Sequence, residues 1–140
     1  MEYVFDWCTD YGAKDAALEG DKYERRVISR TPRQVVYEDL QEEKDGWFWS
    51  RHVVRLDPPR HWHSDSIGSH RAYSLEYRLT SPADGETELV LTAQRRPYGR
   101  GEPNPRKAEW ERSVLKSWKR FAKALESDYN RSRASVGKPR

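Results

Sequence analysis

The chain has 140 residues, enough for one domain and hardly for two, and 35% of them are apolar against 35% charged. That balance alone would suit a disordered chain, but six Trp, eight Tyr and three Phe at regular positions argue for a core, since each buried ring removes roughly 150–250 Å² from water. The single cysteine, Cys8, excludes an intramolecular disulfide, and a net charge of +3 from intermixed basic and acidic residues describes a solvated surface rather than a nucleic-acid footprint.

No apolar run approaches the roughly 20 residues that a membrane span needs. The opening MEYVFDWCTDYG has no basic start and no apolar stretch before a small-residue cleavage site, so the expected compartment is the cytoplasm. Tyr3 to Asp10 is aromatic and apolar at helical spacing and reads as a short helix stopped near Gly12, with a second helical turn over Ala13–Leu18 that Gly20 ends. From Tyr23 the period becomes two. Strands are expected over Tyr23–Arg30, Gln34–Gln41, Trp47–Leu56, His61–Ser69, Ala72–Thr80 and Thr87–Arg96, separated by Thr31-Pro32-Arg33, Lys44-Asp45-Gly46, Asp57-Pro58-Pro59, Gly68–Arg71 and Pro82–Gly85. Ala72–Thr80 alternates most cleanly, with Tyr73, Leu75, Tyr77 and Leu79 against Ser74, Glu76, Arg78 and Thr80. Turns this short predict an antiparallel meander.

Pro97–Pro105 reads as a loop. Beyond it, Trp110, Val114, Trp118, Phe121 and Leu125 recur at spacings of four, four, three and four, which predicts an amphipathic helix of about 25 residues with Lys116, Lys119, Arg120 and Lys123 on its wet face. One helix cannot bury so wide a stripe alone, so it is expected across the sheet. The whole is an α+β domain over residues 1–129, followed by a small, polar, basic tail over 130–140 that is expected to be disordered.

A short helix reading Val4-Phe5-Asp6-Trp7-Cys8-Thr9-Asp10, then six meandering strands, then a long amphipathic helix, resembles the START-like superfamily, also called SRPBCC. That group includes the polyketide cyclase/dehydrase, lipid-transport and pollen-allergen-like proteins. The stretch from Trp47 into Leu56-Asp57-Pro58-Pro59-Arg60-His61-Trp62 looks like the family's middle hairpin. The order of elements covers nearly the whole chain, although the superfamily has no invariant catalytic signature. The resemblance implies a helix-grip fold: a curved antiparallel sheet wraps the long helix, and a cavity between them holds a lipid, polyketide or other apolar molecule. In a minority of members the cavity carries out catalysis. The family opens with a strand before its first helix, and this sequence starts in the helix. That departure leaves the far edge of Thr87–Arg96 unpaired, so either an edge-to-edge homodimer or further N-terminal residues are expected to cover it.

No phosphate loop, dinucleotide fingerprint or nucleophile elbow is present. His61 and His63 share one strand face, and His52 on the preceding strand would allow three imidazoles to converge. However, Trp62 between them is an alternative inward residue, so no metal and no organic cofactor is expected. The isoelectric point near 9.0 and the run Arg95-Arg96-Pro97-Tyr98-Gly99-Arg100-Gly101 would serve a nucleic-acid reading. The small charge excess and the lack of an RNA-binding motif stand against it. Asp39, His52, Asp65 and Arg78 are polar candidates if their strands wall the cavity. For Arg78 the alternation favours the wet face. Tyr73, Leu75 and Tyr77 on one strand, Trp47 and Trp49 on another, and Trp118 from the helix form the expected ligand wall, with Asp39 and His52 orienting the ligand. The leading expectation is binding or carriage of a hydrophobic small molecule. The alternatives are a cyclase or dehydratase using Asp39, His52 and Arg78, and an interaction module with a filled core.

Overall fold

The computed structural model describes residues 1–97 and 106–136. It opens with helices α1 (Glu2–Cys8) and α2 (Lys14–Glu19). Strands β1 (Glu24–Thr31), β2 (Gln34–Glu43), β3 (Gly46–Asp57), β4 (His61–Gly68), β5 (Arg71–Thr80) and β6 (Glu88–Pro97) follow, and helix α3 (Lys107–Val136) completes the chain. The expected elements are all present, with ends within a few residues. Gly20 stops α2 in the left-handed region, at φ 77, where the absence of a Cβ removes the steric cost.

The six strands form one curved, open antiparallel sheet in the order β1-β2-β3-β4-β5-β6. This is the α+β meander that the period-two segments and short turns imply, and its long helix and short N-terminal helix match the expected helix-grip-like arrangement. No helix is long and apolar enough to cross a membrane among the described residues.

Cross-strand register divides the concave face into rows. Leu56, Trp62, Tyr77 and Leu91 stand opposite one another in sequence across β3 to β6, and Leu79 faces Leu89 beside them. Val35 and Val54 pair directly and are fully buried. Phe5 of α1 caps this apolar end edge-on to Trp62, at 5.6 Å between ring centroids. The next rows are polar. Tyr37, His52, Ser66, Tyr73 and Arg95 form one; Arg25, Asp39, Ser50 and Gly68 form the other, with Arg71 two residues before Tyr73 on the same face. The sheet therefore grades from apolar to polar along its strands.

One element runs past its expected end. The long helix reaches Val136 over 30 residues, through the stretch from Asn130 that was expected to be disordered. After Pro105 no Gly or Pro interrupts the chain until Gly137. Ser132 and Ser135 hydroxyls donate to carbonyls one turn back, and Tyr3 meets Tyr129 edge-on at 5.1 Å. The loop expected over Pro97–Pro105 begins with the last residue of β6, and residues 98–105 lie outside the described residues.

Candidate functional site

Between the concave face and α3 lies a partly open cavity of about 590 Å³. Its apolar wall is aromatic. Trp62 stacks flat on Tyr77, at 4.8 Å and 8° between planes, and Tyr77 leans on Trp118 of α3 at 5.7 Å. Trp118 in turn packs on Phe121, and Phe121 meets Trp7 of α1 edge-on. Leu75, Leu91 and Ala93 complete that wall from β5 and β6. Rings span the gap between helix and sheet where a close-packed layer would otherwise fill it.

The β1–β2 side of the cavity is built around Arg25, whose side chain is 7% exposed. Its guanidinium donates to both Asp39 oxygens, Nε at 2.7 Å and Nη2 at 2.9 Å, and also to Asp15 and to the Tyr23 hydroxyl. It lies 4.3 Å from the Tyr37 ring centroid, with Tyr23 and Tyr11 further round it. Burial opposes the charge most strongly, but the hydrogen bonds to Asp39 together with the charges of Tyr37, Asp39 and Tyr23 outweigh it, and Arg25 stays protonated with its pKa raised.

Burial likewise pushes the Tyr11 and Tyr37 phenols well above their ordinary range, so both remain neutral donors. The His52 ring stacks on Tyr37 at 4.4 Å and 7°. Its Nε2 is 3.0 Å from Ser50 Oγ and 3.8 Å from Asp39 Oδ2. Desolvation lowers its pKa to about 4, so the imidazole is neutral near pH 7 and can exchange hydrogen bonds with a ligand oxygen. Glu19, at the end of α2, is half-buried, and burial raises its carboxyl to about 7.

Of the residues expected from the sequence, Tyr73, Leu75, Tyr77, Trp118, Asp39 and His52 all line this cavity. Trp47 and Trp49 do not. On β3 the concave positions are Phe48, Ser50, His52, Val54 and Leu56, so the two tryptophans point to the convex face, 61% and 36% exposed. His61 and His63 share a strand face as expected, but it is the convex one, because Trp62 between them takes the buried position. His52 stands on the other side of the sheet, and no group of three possible metal ligands forms among the described residues. Asp65 is also convex, held by His63, Ser74 and Arg55. Arg78 pairs with Glu76 on that same wet face, as its alternation indicates, and has no part in the cavity.

Sequence reasoning missed Arg25, Tyr37, Arg71, Arg95 and Trp110 as lining residues. For Arg71 the signal was present: it lies at even spacing from Tyr73 and Tyr77, and Arg95 likewise from Leu91 and Ala93.

Compared with known proteins, the chain matches no family model, no curated protein and no solved structure.

Proposed function

We propose that this chain is a START-like, SRPBCC-type domain that reversibly binds or carries a hydrophobic small molecule, lipid- or polyketide-like, in the cytoplasm. The observation that carries the reading is the cavity of about 590 Å³ between sheet and helix, walled by Trp62, Tyr77 and Trp118. Its size falls within the range of small-molecule sites, roughly 300–1,000 Å³, and beside its charged lining residues the rings of Trp62, Tyr77 and Trp118 supply the apolar surface that such sites share. An interaction module with a filled interior has no use for this space. Two copies are proposed to pair through the open edge of β6.

A second reading, a cyclase or dehydratase, is favoured by one arrangement: neutral His52 lines the same cavity with Asp39, and buried Ser50 lies beside its ring. Those groups can hold or move a proton at a ligand oxygen. Arg78, expected to share this role, is on the opposite face.

The binding reading is tested with phenylnaphthylamine, a neutral naphthyl–phenyl amine that fluoresces when shielded from water. Wild-type protein is expected to bind it saturably. Ala93→Phe, which fills the lining without removing a core side chain, should abolish that binding while thermal stability is kept. If neither this dye nor a broad set of apolar compounds binds saturably to folded protein, carriage is wrong.

A further inference from the structure

Among the described residues four tyrosines line the cavity, and they differ in what their hydroxyls meet. The Tyr73 hydroxyl accepts from Arg95 at 3.3 Å. Those of Tyr11, Tyr37 and Tyr77 form no hydrogen bond among the described residues. Tyr37 and Tyr77 are nevertheless only 5% and 9% exposed, and neither oxygen is sealed in by protein, so both open onto the space of the cavity. A phenol so placed is costly unless water or a ligand answers it.

The three tyrosines stand on separate elements yet come together. Tyr37 is on β2 and Tyr77 on β5, while Tyr11 lies between α1 and α2. The Tyr11 ring stacks on Tyr37 at 4.7 Å and 28°. Burial, and next the neighbouring Tyr77, raise the Tyr11 phenol, which sets Tyr77 close to it. Tyr11 reaches this position from the left-handed region of the backbone, at φ 48. That conformation is an outlier for so bulky a side chain, and residues held in it gather at ligand sites.

The charges around this group are already answered. The Arg25 guanidinium lies over the Tyr37 ring with Tyr11 beside it, and Asp39 and Asp15 accept from it. A cationic ligand would meet Arg25, and an anionic one would meet Asp15, Glu19 and Asp39 on the same side of the cavity. A hydrocarbon would leave the three hydroxyls without an acceptor. We infer that the cavity takes an uncharged aromatic ketone: its rings lie along Trp62 and Trp118, and its carbonyl oxygen accepts from the hydroxyls of the Tyr11–Tyr37–Tyr77 group. A carbonyl oxygen carries two lone pairs, so it can take up two such donors at once. This rests on the binding reading and narrows it to one ligand class.

The test uses prodan, an uncharged naphthyl ketone dye whose emission moves to longer wavelength when its carbonyl accepts hydrogen bonds. Its partner is the analogue with a propyl group in place of the propionyl. Wild-type protein is expected to bind the ketone about tenfold more tightly, the difference that one well-made hydrogen bond provides. Without donors to meet it, the carbonyl would make the ketone the weaker ligand. Tyr11→Phe, Tyr37→Phe and Tyr77→Phe combined keep every ring and remove no hydrogen bond within the described residues. The triple variant should lose the preference and move bound prodan to shorter wavelength, while the propyl analogue reports an intact cavity. Tyr11→Phe alone should reduce the preference about threefold, and it answers the same question if the triple variant does not fold. Tyr129→Phe, on the far part of α3 against Tyr3, should change neither readout. Wild type that binds the propyl analogue as tightly as the ketone, or a preference and emission that survive the phenylalanines, overturns the hydroxyl site and leaves cavity binding standing. Binding of phenylnaphthylamine but of neither naphthyl probe does the same. If wild type binds none of the three compounds, both readings fall together.

Discussion

His52 and Glu19 face the same cavity, and folding shifts their proton affinities in opposite directions. Burial holds His52 near 4, below its ordinary 6.5, so between those values the unfolded chain binds a proton that the native chain does not. Its stabilising contribution is complete above pH 6.5 and is lost as pH falls toward 4. Glu19 is raised from 4.5 to about 7, so the native chain keeps a proton that the unfolded chain has released. Its contribution is complete below pH 4.5 and is lost as pH rises toward 7.

Between pH 4.5 and 6.5 the two slopes oppose, and removing either residue should uncover the other. Relative to wild type, His52→Gln should gain about 1–2 kcal/mol as pH is lowered across that window. Glu19→Gln should gain a similar amount as pH is raised across it. Urea midpoints at several pH values measure both. If the His52→Gln difference from wild type is constant from pH 4.5 to 6.5, the imidazole is not held neutral by burial.

At this scale the sequence was only half legible. The period-two alternation of β5 identified its inward residues correctly, because one of its faces is apolar and the other polar. On β3 the consecutive rings Trp47-Phe48-Trp49 give no such contrast. The face was settled by long-range register with β2 and β4, which a local pattern does not contain. Asp39 and His52 were found because they stand on strands that the family resemblance reads as cavity walls. Arg25 was missed because a buried arginine is recognised only through its partners Asp15 and Asp39, distant in sequence.

Among the elements, α3 shows how periodicity predicts a contact but not its tightness. Trp110, Val114, Trp118 and Phe121 of the stripe line the cavity that the sheet walls, with Lys119 and Lys123 exposed on the far side. Trp118 and Phe121, however, are half-buried. They reach across the cavity to Tyr77 and Trp7 without sinking into a packed layer. A fully buried tryptophan replaced by alanine costs about 3–5 kcal/mol, which is what the stripe alone implies. With one side of its ring on the cavity, Trp118→Ala should cost about 2 kcal/mol and weaken phenylnaphthylamine binding as well. Lys119→Ala and Lys123→Ala should stay within about 0.5 kcal/mol of wild type. Chemical denaturation gives the first comparison and dye titration the second. An unchanged Trp118→Ala protein in both assays would place the ring away from the sheet. The helix outran its expected end because Asn130–Val136 is polar. Hydrophobic periodicity stops at Tyr129, whereas the backbone, with no glycine or proline before Gly137, does not.

The molecule as a whole presents an open sheet, and an open sheet has edges. Among the described residues β6 pairs only with β5, and every second residue of the strand presents its backbone donor and acceptor to the other side. Such an edge pairs with another chain unless something blunts it. Two copies of β6 running antiparallel about a two-fold axis at Thr92 would set Glu88 of each copy opposite Arg96 of the other, with Val90 opposite Gln94 between them. All of these lie on the exposed side of the strand, and Val90 is 46% exposed. Glu88 is already steadied by the Thr80 hydroxyl at 3.1 Å. The register is therefore complementary in charge at both ends and covers an apolar side chain near its middle. Light scattering should give about twice the 16.6 kDa mass of one chain. Glu88→Arg alone sets like charges across the axis and should yield monomers, and adding Arg96→Glu should restore the pair. A wild-type monomer, or a dimer indifferent to both changes, would mean that β6 is covered in another way.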